Sequence, residues 1–391
     1  MPQQPVSPGT RPTVEIAHDC RHFLGDRPCK MHKASGALCK CTHYAPIRER
    51  VLMIKLDAMG DVLRTTALLP ALAKAHPEAA IDWITKSESL QLLENNPYLA
   101  DVIPYGPEAL VRLSTVSYAR VINLDAGKIS AGLAAAAKGR CKDGFVLHEG
   151  GYVTATNPAA QSWLEMGTND DLKRANATRS YQEIMHEILD LPTAGQRYVL
   201  DLRASEREAA KRHVISLGLD PNRPIVGLNI GAGGRWELKR WRLEGFAELC
   251  NRLGHRGLQI ALLGGQAEIQ RNRELVERSD AHIVDLGSHH DLRAFSALLG
   301  QCTAVVTGDT LAMHIALALG RRTVVLFGPT SHAEIDVYAS GEKVFPEMSC
   351  LACYKNSCDF VPNCMDLIST DMVDAAVMRQ LAIAAGNILT R

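Results

Sequence analysis

Short apolar runs alternate with helix-patterned stretches twice along this chain, and that repetition limits what it can fold into. The first series opens with Val51-Leu52-Met53-Ile54-Lys55-Leu56. The run lacks polar alternation, so it reads as a strand buried on both faces, as in a parallel sheet. Residues 62–75 carry apolar positions at helical spacing. Further strands are expected at 81–85, 101–105 and 121–125, with helical stretches between several of them. Residues 151–180 are less regular, and helices at 181–189 and 205–217 flank an expected connection. The pattern then restarts, with strands at 225–230, 259–263, 283–286, 304–307 and 323–327. Helical segments follow at 243–253, 267–278, 292–299 and 311–319. Strands alternating with helices imply a mostly parallel sheet covered on both faces.

A chain of 391 residues suits two such units better than one core. The expected division is a polar tail and Cys-rich segment at 1–46, one doubly wound domain at 47–205 and a second at 206–391. Sheets of this kind bind ligands at the carboxyl ends of their strands. Two in tandem leave a cleft between them, where functional motifs are expected.

Formal net charge is zero, which gives no support to a nucleic-acid or strongly membrane-bound role. No apolar run is long enough to span a bilayer, and the opening residues lack the pattern of a secretory signal. A cytoplasmic protein with at most peripheral membrane contact is expected. In that reducing compartment the 11 cysteines suggest metal ligands more than disulfides.

Four motifs fall at strand ends. In Lys55-Leu56-Asp57-Ala58-Met59-Gly60-Asp61 the glycine suits a tight strand-to-helix turn. Asp61 then stands at a helix N-terminus facing the cleft; on position alone a capping role is favoured. Val306-Thr307-Gly308-Asp309-Thr310 precedes a helix whose free N–H groups suit a pyrophosphate. Asp309 there suits a sugar or ribose hydroxyl, although a ligand-free turn has the same pattern. Asn229-Ile230-Gly231-Ala232-Gly233-Gly234 is a glycine-rich turn, followed by Lys239-Arg240-Trp241. It suits phosphate with Lys239 as a point charge, and it equally suits a plain loop with a surface lysine. Phe327-Gly328-Pro329-Thr330 fixes a sharp turn after the last strand.

Together these motifs resemble glycosyltransferase family 9, the ADP-heptose:lipopolysaccharide heptosyltransferases, from about Val51 to Val373. VLMIKLDAMGDVLRTTALLPAL matches the family's opening segment, and VVTGDTLAMHIALAL followed by VVLFGPT matches its donor segment. Met166-Gly167, Asp171-Leu172-Lys173 and Tyr181-Gln182-Glu183 are also similar to a family segment. The resemblance implies a GT-B fold of two Rossmann-like domains. It implies an inverting transfer of heptose from ADP-heptose to an acceptor hydroxyl, in lipopolysaccharide core assembly. Another nucleotide sugar or a protein (autotransporter) acceptor is an alternative; a non-catalytic, metal-stabilised binding module is a further one.

Residue by residue, the resemblance implies Asp61 as general base and Lys239 on the donor phosphates. It implies Asp309 on the donor sugar, with Thr310 and Leu311 supplying amides. Asn229 and Gly231 lie on the donor side, and His314 matches a motif histidine whose structural role, facing the helix core, is favoured. Lys55, Arg64 and Lys128, with Lys173 and Arg174, are candidates for a basic lining around an acidic glycan or lipid-linked acceptor, or are solvated surface charges. No Asp-x-Asp pair suggests a catalytic metal, so no cofactor is expected for catalysis. Two departures stand out: Leu311 replaces a family glycine, and Trp241-Arg242 replaces Trp-Pro.

Eight cysteines form two quartets. Cys20, Cys29, Cys39 and Cys41 precede the first strand; Cys350, Cys353, Cys358 and Cys364 follow the last one. The second quartet, within a segment 350–364, has the spacing C-x2-C-x4-C-x5-C. That suits a closed structural Zn or Fe site, or equally a set of free thiols. Relatives that glycosylate autotransporters bind iron through cysteines in this region. Cys141, Cys250 and Cys302 read as isolated core residues.

Overall fold

The computed structural model describes residues 15–175, 178–193, 195–233 and 236–389. Most of the tail expected at 1–18, and Gly234 of the glycine-rich turn, lie outside them.

Twelve strands form two six-stranded sheets. The first contains β1 (Glu49–Ile54), β2 (Ala79–Thr85), β3 (Leu99–Pro104), β4 (Ser117–Asn123), β5 (Lys138–Leu147) and β6 (Val153–Ala155). Their order is β3-β2-β1-β4-β5-β6. Only β6 runs antiparallel, against β5. The second contains β7 (Ile225–Asn229), β8 (Gln259–Leu263), β9 (Ile283–Asp285), β10 (Ala304–Gly308), β11 (Arg322–Leu326) and β12 (Gly341–Val344). Its order, β12-β11-β10-β7-β8-β9, is the same winding. Each sheet therefore reverses direction beside its first strand: between β1 and β4, where Ile54 pairs with Asn123, and between β7 and β10, where Thr307 pairs with Asn229. Crevices form at such reversals because successive helices leave on opposite faces.

The central strands are the apolar runs of the sequence. All of β2, β7 and β10 are buried, as are Val51–Ile54 of β1. β5, β6 and β12 escaped the sequence pattern. KGRCKDGFVL and GEKV carry few apolar residues because they lie toward sheet edges, where one face or end meets water. The stretch at 151–180 is more regular than expected, containing helices Pro158–Thr168 and Asp170–Ala175. An additional helix, Thr370–Leu389, packs Val373, Ala376 and Val377 on the second sheet.

The expected helix at 62–75 is two helices, Met59–Thr65 and Leu69–Ala75, joined by a tighter turn at Thr66–Leu68. Pro70 lacks the N–H that would continue the α-helical ladder to Thr66.

The two halves share one core. Leu63, Ala67 and Leu92 from the first half pack in the same cluster as Ala312, Met313 and Phe327 from the second. Each such fully buried leucine contributes about 2 kcal/mol relative to exposure. Tyr198, Leu200 and Leu202, just ahead of residue 205, also join this cluster. The helix Met59–Thr65 thus lies directly on the helix Leu311–Ala318.

Candidate active site

At the reversal of the first sheet, Lys55 leaves β1 buried and forms an ion pair with Asp125, just past β4. The other Asp125 oxygen, Oδ2, accepts the Leu56 N–H at 2.6 Å. Asn123 holds this turn: its Nδ2 donates to the Asp125 carbonyl at 3.0 Å and to the Phe145 carbonyl at 2.7 Å. Asp125 had read as the last residue of a strand. The signal overlooked was its place at the carboxyl end of β4, beside β1.

Asp61 lies in the first turn of the helix Met59–Thr65. The N-cap is Ala58, whose N–H donates to Asp61 Oδ2 at 3.2 Å. The carboxylate therefore does cap the helix, but with one oxygen. The other, Oδ1, pairs with Arg64 Nε at 2.9 Å, and the side chain keeps 35% of its exposure. Burial opposes ionisation of Asp61; Arg64 and Lys55 outweigh it and hold its pKa at about 2. It is fully ionised at neutral pH.

Arg64 is fixed by more than Asp61. Its guanidinium lies 3.8 Å over the Tyr181 ring, and Nη1 is 3.7 Å from Glu334 Oε2. Lys55 and Arg64 are thus ion-paired members of the site and not open cations. Lys128 is exposed. Lys173 lies over the Tyr354 ring, and Arg174 pairs with Asp171. Glu334 and Tyr181 carried no chemical signal of their own in the sequence, since only their approach to Arg64 gives them one.

At the reversal of the second sheet, Asn229 Oδ1 accepts from Thr307 Oγ1 at 3.2 Å and from Thr310 Oγ1 at 3.3 Å. Thr310 is the N-cap of the helix Leu311–Ala318, yet its hydroxyl makes no cap hydrogen bond. Among the described residues, the first amides of that helix have no side-chain acceptor, the condition for receiving an anion. Lys239 Nζ donates to Asp309 Oδ2 at 2.9 Å and to the Asp309 carbonyl at 3.2 Å, beside the same helix end. Burial would raise the pKa of Asp309; Lys239 and His314 bring it below the usual value. The side chain of Leu311 is partly buried and packs against the shared core. Gly231 borders the Glu268 side chain, which occupies the space a Cβ would need.

His314 joins the two halves. It is 5% exposed and its ring lies against Gly60. Gly60 is helical and has no positive φ. The need for glycine is therefore steric, and not the turn conformation expected from sequence. Burial, followed by Arg64, lowers the His314 pKa to about 4, so the ring is neutral at pH 7.

Cys350, Cys353, Cys358 and Cys364 lie in one loop. Burial, then Cys353, Cys358 and Cys350, raise the Cys364 pKa to about 11. Among the described residues, no three His, Cys, Asp or Glu side chains are arranged to hold a metal ion. No described helix is long and apolar enough to cross a membrane.

Comparison with known proteins accords with this geometry. The family model for glycosyltransferase family 9 (heptosyltransferase) matches residues 110–362. Lipopolysaccharide heptosyltransferase 1 of Pseudomonas aeruginosa is 25% identical over 343 residues, covering 80% of this chain and 88% of its own. The glycosyltransferase family 9 structure from Veillonella parvula superposes with a TM-score of 0.70 at 20% identity, covering 86% of this chain and 97% of that one. The ADP-heptose lipopolysaccharide heptosyltransferase II structure from E. coli gives 0.64 at 20% identity, covering 85% and 98%. With two sheets of one winding meeting at the Asp61 and Asp309 helices, this chain belongs to glycosyltransferase family 9, the heptosyltransferase family.

Proposed function

We propose that this enzyme transfers a heptose from ADP-heptose to a hydroxyl of a lipopolysaccharide-core acceptor, inverting the anomeric centre, with Asp61 as general base. The observation that carries this reading is the packing of the Asp61 helix on the Leu311–Ala318 helix, with Gly60 against His314. That packing brings together the helix that carries an ionised carboxylate and the helix whose N-cap side chain makes no cap hydrogen bond. The P. aeruginosa relative is a lipopolysaccharide heptosyltransferase, and the E. coli structural neighbour is an ADP-heptose lipopolysaccharide heptosyltransferase.

The acceptor hydroxyl donates a hydrogen bond to Asp61 and attacks the anomeric carbon from the face opposite ADP. As that C–O bond forms, the bond from the anomeric carbon to the diphosphate oxygen breaks and ADP departs with the electron pair. Asp61 takes the hydroxyl proton. With a pKa of about 2 it is a weak base. It therefore acts late, when the attacking oxygen has gained positive charge and its proton is acidic. The charge growing on the leaving diphosphate is met by Lys239 and the amides that open the helix after Thr310. Asp309, beside Lys239, accepts a donor hydroxyl. Every step uses groups of this chain.

The test is a transfer assay with ADP-heptose and a heptose-free core acceptor, alongside UDP- and GDP-sugars. Asp61→Ala is expected to lower kcat by about 10²–10⁴-fold while ADP still binds. Full activity in that variant would remove Asp61 as base. Equal turnover of UDP- or GDP-sugars would remove the donor assignment.

A further inference from the structure

Tyr354 follows Cys353 in the cysteine-rich loop and sits in the left-handed region, with φ 54°. Its N–H donates to the Pro329 carbonyl at 2.8 Å, and the Ala352 N–H to the Gly328 carbonyl at 3.2 Å. The loop is thereby docked on the turn that follows β11. The phenol oxygen accepts the Ser331 N–H at 3.2 Å and donates to Glu334 Oε1 at 2.8 Å. Lys173 Nζ sits 3.3 Å from the centre of the same ring.

Glu334 is therefore held at both ends. Its backbone carbonyl accepts the Tyr181 N–H at 2.9 Å. Its free oxygen, Oε2, faces Arg64 Nη1 at 3.7 Å. Arg64 Nε in turn lies 2.9 Å from Asp61 Oδ1 as an ion pair, without the geometry of a hydrogen bond. A guanidinium with one carboxylate partner tends to close on it with two parallel hydrogen bonds. That closure would occupy both oxygens of Asp61. Here Nη1 of Arg64 faces Glu334, and among the described residues Asp61 Oδ2 accepts only from the Ala58 N–H.

We propose that Tyr354 and Glu334 are positioning residues: they hold Arg64 between Glu334 and Asp61, short of a closed two-bond fork on Asp61, which leaves an Asp61 oxygen for the acceptor hydroxyl. The assignment rests on Asp61 as the base. It links the cysteine-rich loop to the reacting centre through four side chains in series: Tyr354, Glu334, Arg64 and Asp61. Tyr354 acts only through Glu334, so removing the phenol and removing the carboxylate affect the same step.

The experiment is a double-mutant cycle in the full-length enzyme, using Tyr354→Phe, Glu334→Gln and the double variant. Phenylalanine keeps the ring under Lys173. Each single variant is expected to lower kcat by about tenfold, the scale of a small misplacement of a reacting group. Donor KM and ADP affinity by calorimetry are expected to stay unchanged. The double variant is expected to match Glu334→Gln alone, and neither change is expected to alter the residual rate of Asp61→Ala. Multiplying losses in the double variant would overturn the proposal. So would losses that appear as weaker ADP binding, or unchanged kcat in both single variants. An active Asp61→Ala enzyme would remove the base reading itself. An inactive one with a multiplicative cycle would remove only the positioning role.

Discussion

The ring of His314 occupies the space beside Gly60, so that a Cβ on Gly60 would lie 2.6 Å from His314 Cδ2. One residue precedes the proposed base and the other lies in the helix proposed to receive the leaving group. Their contact sets how closely the two halves of the site approach.

Gly60→Ala should therefore act across the inter-half contact. Because the ring is buried, relief requires the helices to separate. The expected loss of stability is about 1–3 kcal/mol, the range for overpacking, with a fall in kcat. Adding His314→Ala should restore much of the stability, since it empties the space the new methyl needs. Chemical denaturation of the two single variants and the double measures this; strictly additive losses would contradict the contact.

His314 also predicts a pH dependence. Its folded pKa, about 4, lies below the ordinary 6.5. The unfolded chain therefore binds more protons between these values, and folding stability falls as pH drops through that window. At full shift the His314 contribution is about 3 kcal/mol. Denaturation curves at pH 7 and 5 should show the decline, and His314→Gln should flatten it. Carboxylates with depressed pKa values, such as Asp61, add their own loss only at lower pH.

Lys239 and Asp309 form a charge pair at 2.9 Å beside the helix that starts at Leu311. Lys239→Ala is expected to weaken ADP binding by about 10–100-fold, the scale of a lost charge-assisted hydrogen bond. Asp309→Asn should retain ADP binding and lose selectivity for the sugar, because it touches the donor hydroxyl in this reading. Calorimetry with ADP and with the intact donor separates the two. Equal effects of both variants on ADP alone would refute the division of roles.

The Lys55–Asp125 pair should matter more for stability than for substrate binding. Lys55 is 4% exposed, and removing its partner strands a buried charge. Asp125→Ala is expected to cost about 3–5 kcal/mol. A Lys55→Met, Asp125→Asn double variant should recover a large part, because neither charge is then left alone. Thermal melts decide it: a mild effect of Asp125→Ala would mean that water reaches Lys55.

Much of the site was legible where chemistry and local pattern coincide. Asp61 and Asp309 each follow a buried strand and open or precede a helix, and local periodicity marks such places. Asp125 has the same signature but was absorbed into the strand before it. Strand ends carry no sharp boundary in hydrophobicity. Leu311 stands where the family has a glycine; its side chain packs, partly buried, against the shared core. Sequence gives a residue's identity, whereas side-chain direction follows from the turn it occupies.

By itself the sequence determined the two series of buried strands, their winding class and the helix ends at Asp61 and Asp309, because burial and backbone hydrogen bonding impose short-range periodicities that any reader of the chain can detect. The tertiary structure alone decided that Arg64 is shared between Asp61 and Glu334, that Asp125 neutralises Lys55 and that His314 fills the space beside Gly60. Apart from the Asp61–Arg64 pair, three residues apart on one helix, those contacts join residues far apart in the chain. They depend on strand order, on where each sheet reverses and on how one half seats on the other, and no local pattern encodes them.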